Sequence, residues 1–580
     1  MASFRRDPSL AFKILTVTFI IGFYVVYTAI HGDLVGTAAP PKQARPKVQY
    51  QGWNSTKLNR GYEDGYRADE VRLAMLRTFQ LYRAKSWGCD DIKPVSGKCG
   101  TSMNGWGGFI VDTTTTLALM GLWDELLLEI EHITNNINFN TANGLVDPLE
   151  TMSRYLGALV SLADTIDSRT TQYISHEERD ALLLQAIRLA RKLAPSFDSP
   201  TGMPWPRIDF STNKGISSTP VARKGDSKPS QQNSQAVDPA SIGSSFLENR
   251  YLSHMTGNAV YHANATTAWA PMVWNKYVED WPGLIDAPID ISAAEPLGRE
   301  RHWDAGHSSY YSSLIKAAIL APADQHSQKY SDRWLQAAEA LRHHLASRST
   351  PSRGEGLAKM QHLYMGKWHN GWYLNEQSQA ACSTPGNLML GGRYLGREDL
   401  ITFGQALLEA CHHTYNSTPT GLGPHLFSWV PNIGYLNGTY EPQTAMQQAE
   451  LAKFGFWVAD PSYKLRPEFA ESLFYAWRIT GEQRYRDWAW EAFTAIQKHC
   501  KAPYGYAGIK NVMIDPTSTT VQAAQRATGR LLSDAELADE SVASWGETLK
   551  YFYLIFADVE KGSLDRWVYS TGGHPFRMIG

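Results

Sequence analysis

Leu465-Arg466-Pro467-Glu468-Phe469-Ala470-Glu471-Ser472-Leu473-Phe474-Tyr475 reads as an apolar helix with its charges gathered at the front. Pro467 suits the first turn, where its missing N–H costs nothing. Glu468 and Glu471 then share one face at i, i+3, close to the positive end of the helix. Taken alone, a glutamate after proline is an ordinary helix start. Two other stretches repeat the pattern of acid and cation inside apolar sequence. In Leu149-Glu150-Thr151-Met152-Ser153-Arg154, Glu150 and Arg154 fall on one face at i, i+4. Gly546-Glu547-Thr548-Leu549-Lys550-Tyr551 opens an apolar helix that ends near Phe556.

Around these stretches, apolar residues recur at three- and four-residue spacing over 68–84, 115–133, 150–166, 178–193, 242–256, 307–320 and 331–346. The same spacing continues over 386–397, 400–415, 466–480, 484–499 and 543–557. Gly, Pro and Asn separate the segments. Strands and helices do not alternate, which argues against a Rossmann fold or a TIM barrel. Paired helices of moderate length predict an all-α helical barrel or solenoid, and no fixed period supports a tetratricopeptide or ankyrin array. Residues 213–238, rich in Ser, Lys and Gln, read as a mobile insertion.

Composition narrows the function. Apolar residues make up 43% of the 580 and charged residues 19%, as in a globular protein with a large core. A formal net charge of -2 gives no electrostatic case for nucleic acid. The chain holds 19 Trp and 28 Tyr, which serve core packing first and sugar platforms second. Its 5 cysteines make neither a disulfide scaffold nor a zinc site. Cys382 with Cys411, and Cys89 with Cys99, are candidate pairs, leaving Cys500 buried.

At the N-terminus, Arg5, Arg6 and Lys13 precede an apolar run from Ile14 to Ile30, about 17 residues and the lower limit for a membrane span. Positive charge on its N-terminal side predicts a type II anchor: 1–13 cytoplasmic, 14–30 transmembrane, 31–66 a proline-containing stem and 67–580 a lumenal body. The rival reading is a signal peptide cleaved near Gly36-Thr37-Ala38-Ala39. Sequons at Asn54, Asn264, Asn416 and Asn437 suit a lumenal chain.

A glycosidase needs a carboxylic acid to protonate the leaving oxygen and a carboxylate to activate water on the opposite face of the sugar. With Ser86-Trp87-Gly88, Gly105-Trp106-Gly107, Val111-Asp112, Thr201-Gly202-Met203-Pro204-Trp205-Pro206, Leu247-Glu248-Asn249-Arg250 and His574-Pro575 in order along the chain, the sequence resembles glycoside hydrolase family 47, the class I α-1,2-mannosidases. The resemblance runs from about Arg67 to Pro575. It implies an (α/α)7 barrel and inverting, Ca2+-dependent removal of α-linked mannose from high-mannose N-glycans or mannoproteins in the endoplasmic reticulum or Golgi. By the same resemblance, Glu150 matches the general acid and Glu468 the base that activates water. Arg154 and Arg466 match arginines that line the site, and Glu471 and Glu547 match acids that hold the calcium's water shell. Thr571 matches the threonine that binds the metal directly, and Cys382 and Cys411 match a disulfide.

Several positions depart from that pattern. In Asp304-Ala305-Gly306-His307-Ser308-Ser309-Tyr310-Tyr311, Ser308 stands where the family has a catalytic aspartate and Gly306 where it has a substrate-binding arginine. His307 or Asp304 could compensate, and the alignment over so short a stretch could also be slipped. Further departures are Ser241, Gln379, Ala543, Gly572 and Thr115. Two expectations follow: an α-mannosidase of altered preference, or a catalytically impaired, lectin-like binder of mannose glycans. Retention of both Glu150 and Glu468 favours the first, because a binder needs neither. Loss of the aspartate at 308 and the arginine at 306 favours the second.

Overall fold

Seven helices, counted among the described residues, form a closed inner ring in chain order. They are α1 (Gly108–Met120), α2 (Gly157–Thr165), α3 (Phe246–Thr256), α4 (Ser308–Leu320), α5 (Thr384–Leu395), α6 (Glu468–Thr480) and α7 (Trp545–Phe556). Each of α1 to α6 is backed by the next long helix of the chain: Trp123–Asn135, His176–Leu193, Ala259–Val273, Ser327–Ala340, Glu398–Asn416 and Arg484–His499. α7 is backed instead by the first helix, Gly65–Ser86, so the two ends of the chain close the barrel. The computed structural model describes residues 46–53, 63–165, 173–216, 236–274, 279–350, 361–432, 438–518, 537–540 and 544–580.

The inner helices are short and apolar nearly all round, as elements packed on both sides must be. Every residue of α7 is buried, including Glu547, Thr548 and Lys550. Glycines let neighbours approach closely. A side chain at Gly386 of α5 would meet the Ser472 backbone of α6 at 2.8 Å, and the Gly386 N–H donates to Ser472 Oγ at 2.9 Å. A C-terminal hairpin, Trp567–Tyr569 paired with Pro575–Arg577, runs into the middle of the ring. Tyr569 packs on Phe474 of α6 and Phe576 stacks on Tyr251 of α3. The tip of this hairpin, Ser570 to His574, plugs the barrel from within and carries Thr571.

Lys47–Gly580 is one compact unit. Residues 47–53, read from the sequence as stem, pack on it. Val48 and Gln49 donate their N–H groups to Asp565 at 2.8 and 2.9 Å, and Trp53 is buried against Trp477. The apolar run 14–30 and residues 217–235 of the insertion lie outside the described residues, and among those described no helix is long and apolar enough to cross a membrane. Both cysteine pairs, Cys89–Cys99 and Cys382–Cys411, are bonded, and Cys500 is a buried thiol.

The structure corrects the sequence reading in three places. The segment 115–133 is two helices, broken at Gly121, whose φ of 71° ends α1 and turns the chain back. Helix Ala259–Val273 was not expected, because its buried residues, Ala265, Ala268, Trp269, Met272 and Val273, all fall in its C-terminal part and it contains Pro271. Short strands join the helices: a five-stranded sheet ordered Trp372–Leu374, Lys367–His369, Glu295–Arg301, Ala287–Asp290, Ala236–Val237, and a three-stranded sheet ordered Glu376–Ser378, Leu426–Ser428, Trp457–Asp460. Most of these strands have only two to four residues, too few for a clear alternation, and the seven-residue Glu295–Arg301 holds Leu297 as its one large apolar side chain apart from Pro296.

Candidate active site

Every inner helix except α1 brings residues from its N-terminal end, or from the turn leading into it, to one cavity of about 270 Å³ that opens to solvent. The three stretches singled out in the sequence meet there. Glu150 and Arg154 come from the lead-in to α2, Arg466, Glu468 and Glu471 from the start of α6, and Glu547 from α7. Thr571, at the hairpin tip, completes the lining together with Gly572, and Ser308 lies on the α4 wall.

Glu150 sits on a single turn, Pro148–Thr151, that Asp147 caps by accepting from the Glu150 N–H at 3.2 Å. The helix then widens into a π-turn over Met152–Leu156 before α2 begins, an arrangement that recurs at functional sites. Arg154, in that turn, donates from Nε to Glu150 at 2.8 Å and from its Nη1 to the buried Asp112 at 3.2 Å. Burial raises the Asp112 carboxyl, but a hydrogen bond from His574 and the Arg154 charge more than offset it, holding the group below its usual range. His574 lies 3.4 Å from Asp112, and its Nδ1 is 2.9 Å from the hydroxyl of Thr115. Glu150 is thereby held from beneath by a line of buried partners.

On the other side, Leu465 is buried at a φ of 53°, and its carbonyl accepts from Thr548 at 2.8 Å. That left-handed bend turns the chain into α6 and points Glu468 inward, at a steric cost of roughly 1–2 kcal/mol. One oxygen of Glu468 lies 3.4 Å from Arg466, and the other has no hydrogen bond among the described residues. Burial pushes its carboxyl above the ordinary range and Arg466 opposes the rise. Burial also raises Glu547 well above the usual value, with Arg154 and Lys550 pulling the other way. Lys550 is itself lowered by burial to about 8 and donates to the Gly573 carbonyl at 2.8 Å.

Sequence reasoning missed two contributors. Lys316 lines the cavity and reaches Glu471 at 3.1 Å, and Ser312 lies between it and Ser308. The spacing 308, 312, 316 is a one-face helical stripe and was legible. Glu248 is also buried, with neither carboxylate oxygen hydrogen-bonded among the described residues, and burial raises it to about 8.

Neither residue that could compensate for Ser308 lines the cavity. His307 turns away from the cavity and stacks on His302, ring centres 3.9 Å apart. Asp304 is tied to Lys367 at 3.2 Å and to the Ser378 N–H at 3.0 Å. Gln379 likewise stays outside the cavity, donating to the Tyr415 hydroxyl at 2.7 Å. Gly306 lines the cavity at a φ of 95°, a backbone that resists any side chain. At Gly572 a Cβ would sit 2.8 Å from the Ser153 carbonyl oxygen and 3.0 Å from the His574 ring. The glycines at both positions therefore fit the local backbone.

The family model for glycosyl hydrolase family 47 matches residues 74–578. A mannosyl-oligosaccharide alpha-1,2-mannosidase 1B of Aspergillus phoenicis is 31% identical over 520 residues, covering 88% of this chain and 91% of that protein. Its counterpart in Emericella nidulans is 32% identical, covering 88% and 93%. The solved structure of the alpha-1,2-mannosidase from Trichoderma reesei superposes with a TM-score of 0.77 at 29% identity, over 90% of this chain and all of that one. A family match across nearly the whole compact unit, a shared fold and a cavity lined by paired carboxylates make this chain a member of glycosyl hydrolase family 47, a glycosidase.

Proposed function

We propose that the chain hydrolyses α-1,2-linked mannose from high-mannose N-glycans or mannoproteins with inversion, Glu150 acting as general acid and Glu468 as the base that activates water. The observation that carries this reading is the presence of both carboxylates in one cavity, each beside its own arginine. The Glu150 side chain is 47% exposed, suited to reach a leaving oxygen, while that of Glu468 is only 16% exposed, suited to orient a water. Arg154 fixes the rotamer of Glu150. Arg466 favours the ionised form of Glu468, the form a base requires.

The donor set fits a hard cation. Thr571 supplies a hydroxyl and a carbonyl at the floor, and Glu471 and Glu547 line the same cavity. Glu468 contributes a carboxylate oxygen without a hydrogen-bond partner among the described residues. Among the described residues no three His, Cys, Asp or Glu side chains gather as direct ligands. By the family resemblance, Ca2+ would be held by Thr571 and water, with Glu471 and Glu547 holding that water. When bound it would supply electrostatic stabilisation to the sugar hydroxyls. Lumenal residence in the endoplasmic reticulum or Golgi, behind a type II anchor at 14–30, belongs to the same reading. Two disulfides suit an oxidising compartment.

One observation favours the impaired, lectin-like alternative. The α4 wall presents Ser308, Ser309 and Ser312 to the cavity, with no carboxylate among them, and His307 and Asp304 face elsewhere. The two readings separate on the product. Proton NMR during digestion of a high-mannose oligosaccharide should show β-mannose first. First appearance of the α-anomer would overturn the inverting assignment, and glycan binding without any mannose would establish the binder.

A further inference from the structure

Two large aromatic side chains stand out from the surface on rigid supports. Trp372 is 55% exposed and Tyr440 is 43% exposed. Trp372 begins the edge strand of the five-stranded sheet, paired with His369, which in turn pairs with Glu300. Gly438 lies flat against it: a Cβ there would meet Trp372 Cβ at 2.6 Å. The backbone of Tyr440 is clamped on both sides by the fully buried Asn375, which donates from Nδ2 to the Tyr440 carbonyl at 3.0 Å and accepts the Tyr440 N–H. Neither ring is left out by slack packing, because each stands on a fixed backbone.

These rings stand at the same end of the barrel as the cavity, because the sheet lies in the segments that lead into α4 and α5, and the starts of those helices line it. The phenol of Tyr440 is close enough to Glu376 and Lys367 to feel their charges. Lys367 bridges Glu376 and Asp304, each at 3.2 Å, and Asp304 is followed by the cavity residues Ala305 and Gly306. Glu300 and Ala305 are five positions apart in sequence, and two strand spacings separate Glu300 from Trp372. The Trp372 backbone is therefore at most about 28 Å from the cavity wall. Neither ring lines the cavity, so a disaccharide held there touches neither, while a branched oligosaccharide can span the distance. An aromatic face with charged groups beside it matches a pyranose, which offers C–H groups on one face and hydroxyls at its edge.

We propose that Trp372 and Tyr440 form a stacking subsite for a hexose remote from the scissile bond, on the same oligosaccharide whose terminal mannose enters the cavity. The proposal rests on the glycan-processing reading above, and the test separates the two. Full-length protein carrying Glu150→Gln, which spares the ligand, is titrated with a high-mannose oligosaccharide and with α-1,2-mannobiose, with and without Trp372→Ala or Trp372→Phe. Trp372→Ala should weaken oligosaccharide binding about tenfold and leave mannobiose unchanged. Trp372→Phe should restore most of the loss. Unchanged oligosaccharide binding, equal weakening of both ligands, or no oligosaccharide binding by the parent would each overturn the proposal. So would a Trp372→Ala change that converts a dimer into a monomer, since the rings would then be a protein interface. Rim-dependent binding by a chain that releases no mannose would leave the subsite standing and remove only the hydrolytic reading.

Discussion

Arg154 holds the Glu150 carboxylate at 2.8 Å with one nitrogen and the buried Asp112 at 3.2 Å with another. The guanidinium thus joins the mouth of the cavity to the barrel interior. Its fork geometry makes both contacts at once, and a lysine ammonium in its place would have to choose between them.

Arg154→Lys is therefore expected to act as a catalytic lesion. Its kcat should fall on the order of 100-fold, as for loss of other preorganised groups, with KM changed far less. Steady-state kinetics on a high-mannose oligosaccharide decides this. An equal fall in kcat/KM through KM alone would show that Arg154 only binds sugar.

The pH profile should report Glu468. Burial raises its carboxyl, so the base form appears only at higher pH than for a free glutamate, and the acid limb of kcat/KM should lie above the usual carboxylate range. Arg466 pulls that value down, so Arg466→Met should move the limb further up. A limb that stays in place would show that another group titrates there.

Ser308→Asp is expected to raise turnover. Ser308 opens α4 and lines the cavity, where a carboxylate would meet the positive end of the helix. Gly306→Arg should lower folding yield instead, because its φ of 95° is costly for any side chain. Parallel assays and melting curves of the two variants test the contrast. Equal gains from both would contradict this account of the Gly306 backbone.

Stability should depend on Arg478, which is buried and has no carboxylate hydrogen bond among the described residues. It donates instead to the carbonyls of Leu554 at 2.7 Å and Lys561 at 3.0 Å, to that of Val559, and to Gln49 at 3.4 Å. Burial lowers it to about 10. Arg478→Met leaves those carbonyls unpaired beyond α7 and should cost roughly 2–4 kcal/mol in urea unfolding. A cost near zero would mean that water replaces the guanidinium.

Much of this was written in local sequence. Pro467 before Glu468 marked the start of α6, and the Glu150–Arg154 spacing survived even the intervening π-turn, because the two side chains still face the cavity together. The meeting of residues 150, 308, 468, 547 and 571 could not be read from spacing, since it depends on ring closure between the first helix and α7. Family resemblance supplied it. The orientations of His307 and Asp304 were equally out of reach, because partners distant in sequence, such as Lys367 and Ser378, decide them. Ala259–Val273 was missed because its buried residues begin only at Ala265, so no apolar stripe runs the length of the helix, and Pro271 interrupts the pattern.

The central claim is that this cavity still cuts mannose from glycans. Purified full-length protein, incubated with a high-mannose N-glycan in calcium, in chelator, and as the Glu150→Gln variant, tests it most directly. The account predicts free mannose with calcium, loss of release with chelator, and loss of release with Glu150→Gln. Glycan binding that persists while no mannose appears under any of the three conditions would contradict it.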